Sequence, residues 1–482
     1  MSSPGKYDHS FFIASLIFII SLFIAIFFQT ISWMVIPFIW LLFPVIFNYT
    51  VSFTKQLFWL MIVMLPLSTE MNITPSLGID FPDEILLMLL TGIFIIKWIH
   101  QPSIFPSILL TQPLFLILFM QLVWIAICCF FSVDPLLSTK FLLAKTWYII
   151  PFVVFPQIML RSQSSITKLG LCLLLPMGLV VIQALIRHSF YGFSFEGIKQ
   201  VFDPFFRNHV NYSAMLVCLL AVLWCFKKLT PKENKETKWI NIGLSIGIAG
   251  LLLSYSRGAW IALIFGVAGG IIIHKRWLVK TIAVLLFFIV SSAIWLSSNN
   301  NYLRFAPDFR HTIFHTEFRE HLQATITLKD VSNAERFYRW VAAAKMIAAN
   351  PVTGVGPNNF YNTYKSYAAN IFKTWVSNNP DHSSVHNYFL LTALEQSLIG
   401  MLLFTALLCG MLLQTQKLYH HFQNGFYRLV ALTIGIVLIM VTIVNCLSDL
   451  IETDKIGSLF WLCLGMIFLL NDKLREERTS IA

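Results

Sequence analysis

A chain of 482 residues with 57% hydrophobic and only 12% charged residues cannot be a string of soluble domains. Long apolar runs separated by short polar breaks call for helices that cross a membrane, because lipid offers no partner to an exposed backbone N–H or C=O. The net charge of +11 excludes little by itself, and its distribution follows membrane topology, so no nucleic-acid partner is expected.

In chain order, the hydrophobic pattern predicts fourteen helices, over 11–28, 31–48, 56–67, 82–99, 107–131, 141–160, 168–187, 211–226, 239–255, 258–274, 279–297, 386–413, 427–447 and 457–470. The third is short, so twelve or thirteen crossings also fit. The fold class is therefore all-α: a polytopic transmembrane bundle of 12–14 spans with one long loop that carries helices of its own. No ten-residue alternating segments of an outer-membrane barrel are visible. The first run follows Lys6 without a small-x-small cleavage site, which reads as a retained helix. All eight cysteines lie in or at the end of apolar runs, so neither a disulfide framework nor a zinc ribbon is expected.

Lys and Arg set the orientation. With the N-terminus inside, 18 of the 34 basic residues fall on the inner side, led by KKLTPKENKETK at 227–238. Outside the long loop, the other side has seven basic against ten acidic residues. Both termini are thus expected in the cytoplasm. The division is 1–297 as the first eleven helices, 298–385 as the outer loop, and 386–482 as the last three helices and tail. The loop's 88 residues hold nine Lys or Arg and six Asp or Glu, an excess suited to an anionic ligand. Inside it, NAERFYRWVAAAKMIAANP (333–351) predicts a helix capped by Asn333, with Phe337, Trp340, Val341, Ala344 and Ile347 on one face and Pro351 at its end.

Few residues in these segments can carry chemistry. Arg257 is the only charged residue between Ile240 and Ile273, and 34 continuous helical residues would measure about 50 Å against an apolar layer of roughly 30 Å. The helix must break, and Ser256-Arg257-Gly258 is the natural place. The guanidinium then sits at the outer boundary, either as a ligand-binding group or as a snorkelling anchor. Arg207 precedes another outer-side helix start, where Asn208, His209 and Asn211 can serve as caps. Two guanidinium groups on one face would suit a lipid-linked diphosphate, whose oxygens match the planar fork. Arg336 and Arg339 lie three apart on the loop helix, within reach of Glu335 or Asp330.

His386 opens a long apolar helix on the outer side, where the helix N-terminus and nearby arginines disfavour imidazolium. A neutral ring can take a proton from a sugar hydroxyl, although a capping histidine is the plainer alternative. His382 and His386, with Asp381, have the spacing of a metal pair but lack a third ligand, so no metal is assigned. PVTGVGPNNF (351–360) reads as a stiff turn in preference to a phosphate loop. Glu395, buried in the following helix, is expected to pair with a polar neighbour.

SYSRGAW (254–260), ERFYRWVAAAKMIAANPVTGVGPNNFYNTY (335–364) and HNYFLLTALEQSLIG (386–400), in that order, resemble the O-antigen ligase and O-antigen polymerase superfamily. The resemblance implies a cofactor-free membrane glycosyltransferase in the bacterial inner membrane, with its active site facing the periplasm. It would move a glycan from undecaprenyl diphosphate to a hydroxyl of lipid A core, of another glycan or of a protein. By that likeness Arg257 and Arg336, and more loosely Arg207, hold the donor diphosphate. His386 assists the acceptor or the diphosphate, and Arg339, Asn387 and Ser256 support them. The family usually has Gly where this chain has Ser397. Three acceptor classes stay open: ligase, polymerase and protein O-oligosaccharyltransferase. A polysaccharide transporter is the rival from another class; most of the suggestive polar residues gather at the outer face, and no internal repeat is evident.

Overall fold

The computed structural model describes residues 53–74, 77–305, 331–368 and 384–481. The predicted helices 11–28 and 31–48, together with Asp381 and His382, lie outside the described residues.

The chain starts with α1 (Thr54–Met64), a β-hairpin (Thr69–Thr74 with Leu77–Phe81), and α2 (Asp83–His100). There follow α3 (Pro113–Phe130), α4 (Pro135–Met159), α5 (Gln163–Ser189), α6 (His209–Leu229), α7 (Lys235–Leu252), α8 (Arg257–His274) and α9 (Leu278–Ser297). The loop helix is α10 (Val331–Ala349), and α11 (Tyr388–His421), α12 (Gly425–Cys446) and α13 (Asp454–Ile481) close the chain. Among the described residues, nine helices are long and apolar enough to cross a membrane. All eight cysteines are free thiols.

The core is a helical stack in which α12 packs against α8, α11, α6 and α13. α13 is the most enclosed: every residue of its most apolar stretch is buried. Its side chains read as apolar all round because no face of it meets lipid. α4 passes α13 where Gly465 leaves no room for a Cβ, which would stand 2.1 Å from the Phe152 carbonyl oxygen.

Two local results differ from the sequence expectation. α10 begins at Val331, so Asn333 lies within the helix and is not its cap. Its deepest face is Tyr338, Arg339, Ala342, Ala343 and Met346, with Phe337, Trp340, Val341 and Ile347 partly covered and Ala344 exposed. Ala342 and Ala343 are as buried as the larger Met346. The hairpin was not foreseen either, since Thr69–Phe81 carries only weak alternation.

α11 holds the most consequential irregularity. Ser397, fully buried, sits at φ 64°, ψ 178°, a region favoured almost only by glycine. The break deprives the carbonyls just before it of their helical donors. Protein groups replace them: Val355 N donates to Leu394 O (2.9 Å), Gly356 N to Glu395 O (3.0 Å), and Trp124 Nε1 to Gln396 O (2.8 Å). The glycine-rich turn is thus a brace whose N–H groups are spent on α11, in line with the stiff-turn reading. Gly354 (φ 69°) and Gly356 (φ 96°) both adopt positive φ to make it. Glu395 accepts from Phe360 N at 3.2 Å.

Candidate active site

At one end of the bundle α10 grips the strand that leads into α11. Arg339, 1% exposed, donates to Ser384 O at 2.8 Å and pairs with Glu335; Trp340 Nε1 donates to Val385 O at 3.0 Å. These two carbonyls immediately precede His386, which takes φ 55° and donates its N–H to Ser384 Oγ at 3.2 Å. Burial, then the positive charges of Arg339 and Arg336, lower the His386 imidazole to about 3. Both arginines therefore act on the histidine, and the ring is neutral.

Asn387 caps α11. Its Oδ1 accepts from Leu390 N and its Nδ2 donates to Cys446 O, each at 3.0 Å, so both ends of the amide serve the fold.

Arg257 stands at the start of α8, half-buried. The break between α7 and α8 is where the charge pattern requires it. Tyr255 turns the chain at φ 53°, Ser254 Oγ donates to Leu251 O, and Trp260 Nε1 bridges back to the same carbonyl at 2.9 Å. Ser256 is buried and forms the N-cap position without a side-chain capping bond. A Cβ on Gly258 would lie 3.7 Å from Leu447, the neighbour of the carbonyl that Asn387 holds. Arg257 and His386 thus flank one turn at the end of α12, on the same end of the bundle.

That turn opens a connector, Leu447–Thr453, whose importance the sequence reading missed. Asp449 receives a hydrogen bond from Ser384 and feels Arg339; burial nevertheless holds its carboxyl above the ordinary range. Glu452 forms a two-pronged pair with Lys145 of α4 (2.8 and 2.7 Å) and bonds Tyr388. Next along, Asp454 accepts from Ser68 Oγ at 3.0 Å, and Lys455 Nζ donates to the carbonyls of Ser68 (2.8 Å) and Phe205. Asp83, fully buried, lies against Asp454, and burial with the Asp454 charge raises Asp80 to about 7. A signal was present: SDLIETDK (448–455) places three acids and a lysine between two apolar spans.

Arg207 stands apart from the Arg336–Arg339–His386 group. It is exposed, and its Nε lies 3.8 Å from Glu70 of the hairpin. Asn208 beside it caps α6 through bonds to Val210 N and Asn211 N. Just past the connector, Lys455 in the first turn of α13 links the two regions by holding Phe205 O, two residues from Arg207.

Chemically, the assembly offers guanidinium groups for an anion, a neutral imidazole and buried carboxyls that orient their neighbours. No curated protein matches the chain. Residues 242–405, from within α7 into α11, match the family model described as O-antigen ligase, which supports the likeness to the O-antigen ligase superfamily.

Proposed function

We propose that the protein is a glycosyltransferase of the O-antigen ligase type, which moves a glycan from undecaprenyl diphosphate to an acceptor hydroxyl at the periplasmic face of the bacterial inner membrane. The arginine-held imidazole is the observation that carries this reading: α10 presents two guanidinium groups to His386 at the bundle end where Arg257 breaks the α7–α8 pair. The positive-inside argument puts that end outside and both termini in the cytoplasm.

In the proposed reaction Arg257 and Arg336 take the donor diphosphate, with Arg207 at the edge. The acceptor oxygen attacks the anomeric carbon as the bond from that carbon to the phosphate oxygen breaks. The acceptor proton passes to His386, and undecaprenyl diphosphate leaves. Guanidinium donors stabilise the leaving charge directly, so the residues suffice without a metal. One displacement from the opposite side inverts the anomeric centre.

An imidazole lowered to about 3, first by burial and then by the arginines, is a feeble base in the free protein. Binding of an anionic diphosphate at Arg336 adds negative charge near the ring and offsets part of the charge that depresses it, so the ring gains proton affinity as the donor arrives. Arg339, Ser384 and Asp449 hold the histidine in place.

The test is transfer by purified protein supplied with lipid-linked glycan and candidate acceptors. Arg257→Ala and His386→Ala should each abolish new glycosidic bonds while membrane insertion is unchanged. Full activity in both variants removes these assignments, movement of lipid without bond formation favours transport, and a product of retained configuration refutes the single displacement. Gene deletion separates the acceptors: loss of capped lipopolysaccharide with lipid-linked polymer retained means ligase, whereas single-unit glycan means polymerase.

A further inference from the structure

At the end of the bundle opposite His386, α5 begins, α6 ends and α7 begins. An open groove of about 1120 Å³ runs between these helices, with α12 and α13 behind it. Its polar lining residues Gln163, Ser164, Thr167, Thr230 and Glu236 all sit at that end; Thr433, farther along, spends its hydroxyl on Leu429 O. The remainder is apolar. From Gln163 to Gly178 the groove climbs about 22 Å at 1.5 Å per residue, beyond the roughly 15 Å depth of one leaflet's apolar half. Gly178 is a second sign of open space, since a Cβ there would meet nothing within 4 Å.

Water has too few polar partners to fill such a space, which leaves hydrocarbon as its content. The mouth then decides which hydrocarbon. Five lysines (Lys227, Lys228, Lys232, Lys235, Lys238) face two acids (Glu233, Glu236) across the α6–α7 turn. On the other side of α7 a polar pocket of about 550 Å³ is lined by Lys232, Lys238, Asn234, Thr237, Asn241 and Ser245, together with Ile242 and Ile246. Ile246 lines both spaces, so the polar pocket and the groove adjoin across one helix.

We propose that this end of the bundle binds an anionic phospholipid of the adjacent leaflet, with its acyl chains in the groove and its phosphate at Lys232 and Lys238. Lysine suits a lipid phosphate as a point charge, and surface lysines attract anionic headgroups. A prenyl carrier with its diphosphate at the opposite end would leave this lysine cluster without a partner.

Native mass spectrometry of the full chain, titrated with dioleoylphosphatidylglycerol or dioleoylphosphatidylcholine, tests the proposal. Phosphatidylglycerol should be retained in preference, and Lys232→Gln with Lys238→Gln should weaken it by about fivefold per lysine. Gly178→Phe should expel the lipid, whereas Gly92→Phe, at an open position outside the groove, should not. Benzoylphenylalanine at position 178 should yield phospholipid adducts on irradiation in native membranes. Equal retention of both lipids, or retention by Gly178→Phe, overturns the proposal. So do adducts with a polyprenyl carrier or with residues 11–48 of the chain itself.

Discussion

Gly354→Ala should be among the most damaging single-atom additions in the chain. Gly354 sits at φ 69°, and an added Cβ would lie 2.5 Å from the Glu395 carbonyl carbon and 2.6 Å from both the Glu395 and Leu394 oxygens. These neighbours are backbone and cannot swing aside. Left-handed backbone costs a non-glycine residue about 1–2 kcal/mol. Relieving the contact must also lift the turn off α11, which breaks the Val355–Leu394 and Gly356–Glu395 bonds at 2.9 and 3.0 Å. Each is worth about 1 kcal/mol net, and a carbonyl left buried without a donor costs about 1–3 kcal/mol. The expected loss is about 3–6 kcal/mol. Denaturant unfolding of the detergent-solubilised protein measures it, with Gly92→Ala as control, since a Cβ at Gly92 meets nothing within 4 Å. If the two variants unfold within about 1 kcal/mol of each other, the bracing role of the 351–360 turn is wrong.

Lys145→Met should destabilise by about 3–5 kcal/mol because it strands Glu452 in a largely buried place, and adding Glu452→Gln should restore much of the loss; additive losses in a double-mutant cycle would refute the pairing. Because His386 is lowered to about 3 when folded and is ordinary when unfolded, the unfolded state binds the extra proton between those limits. Stability should therefore fall as pH drops from about 6.5 towards 3, less steeply in His386→Asn; identical pH dependence of unfolding in the two proteins would contradict the buried neutral ring. For the free enzyme, the kcat/KM profile of the unaltered protein should show no inflection near 6.5; an inflection there would contradict an imidazole lowered to about 3. Ser397→Gly relieves about 1–3 kcal/mol of backbone strain and loses the Ile399 N–Ser397 Oγ bond (3.2 Å), so it should be near neutral or stabilising, whereas Ser397→Ala keeps the strain, loses the bond and should destabilise; thermal unfolding of both variants decides.

The bundle was legible because bilayer thickness imposes a length on every span, and that constraint acts on each segment alone. The break at Arg257 was legible for the same reason: an unbroken helix from Ile240 to Ile273 would outrun the membrane. The neutral state of His386 also followed from its place at a helix N-terminus near arginines, although its main cause is burial, with the two arginines of α10 next. What the sequence concealed depends on pairing across distance. Lys145 meets Glu452 across 307 positions. The extended turn at Thr69–Phe81 has no stripe to announce it, and the buried face of α10 includes Arg339, Ala342 and Ala343, which an apolar stripe of large residues does not mark.

Ser397 shows how a departure from the family pattern acquires a physical meaning. This chain's serine occupies a position with φ 64°, where a glycine, expected there from the resemblance, would carry no backbone strain. The serine keeps the break because its surroundings over-determine it: Trp124, Val355 and Gly356 already hold the three carbonyls that the break exposes. Straightening α11 would return those carbonyls to helical donors but leave three buried N–H groups without acceptors. Two of the three belong to the turn between α10 and α11, so the kink ties the arginine-bearing helix to the histidine-bearing one. In the proposed enzyme that tie fixes the guanidinium groups relative to the imidazole, and a serine can be tolerated there while the bracing turn retains its glycines.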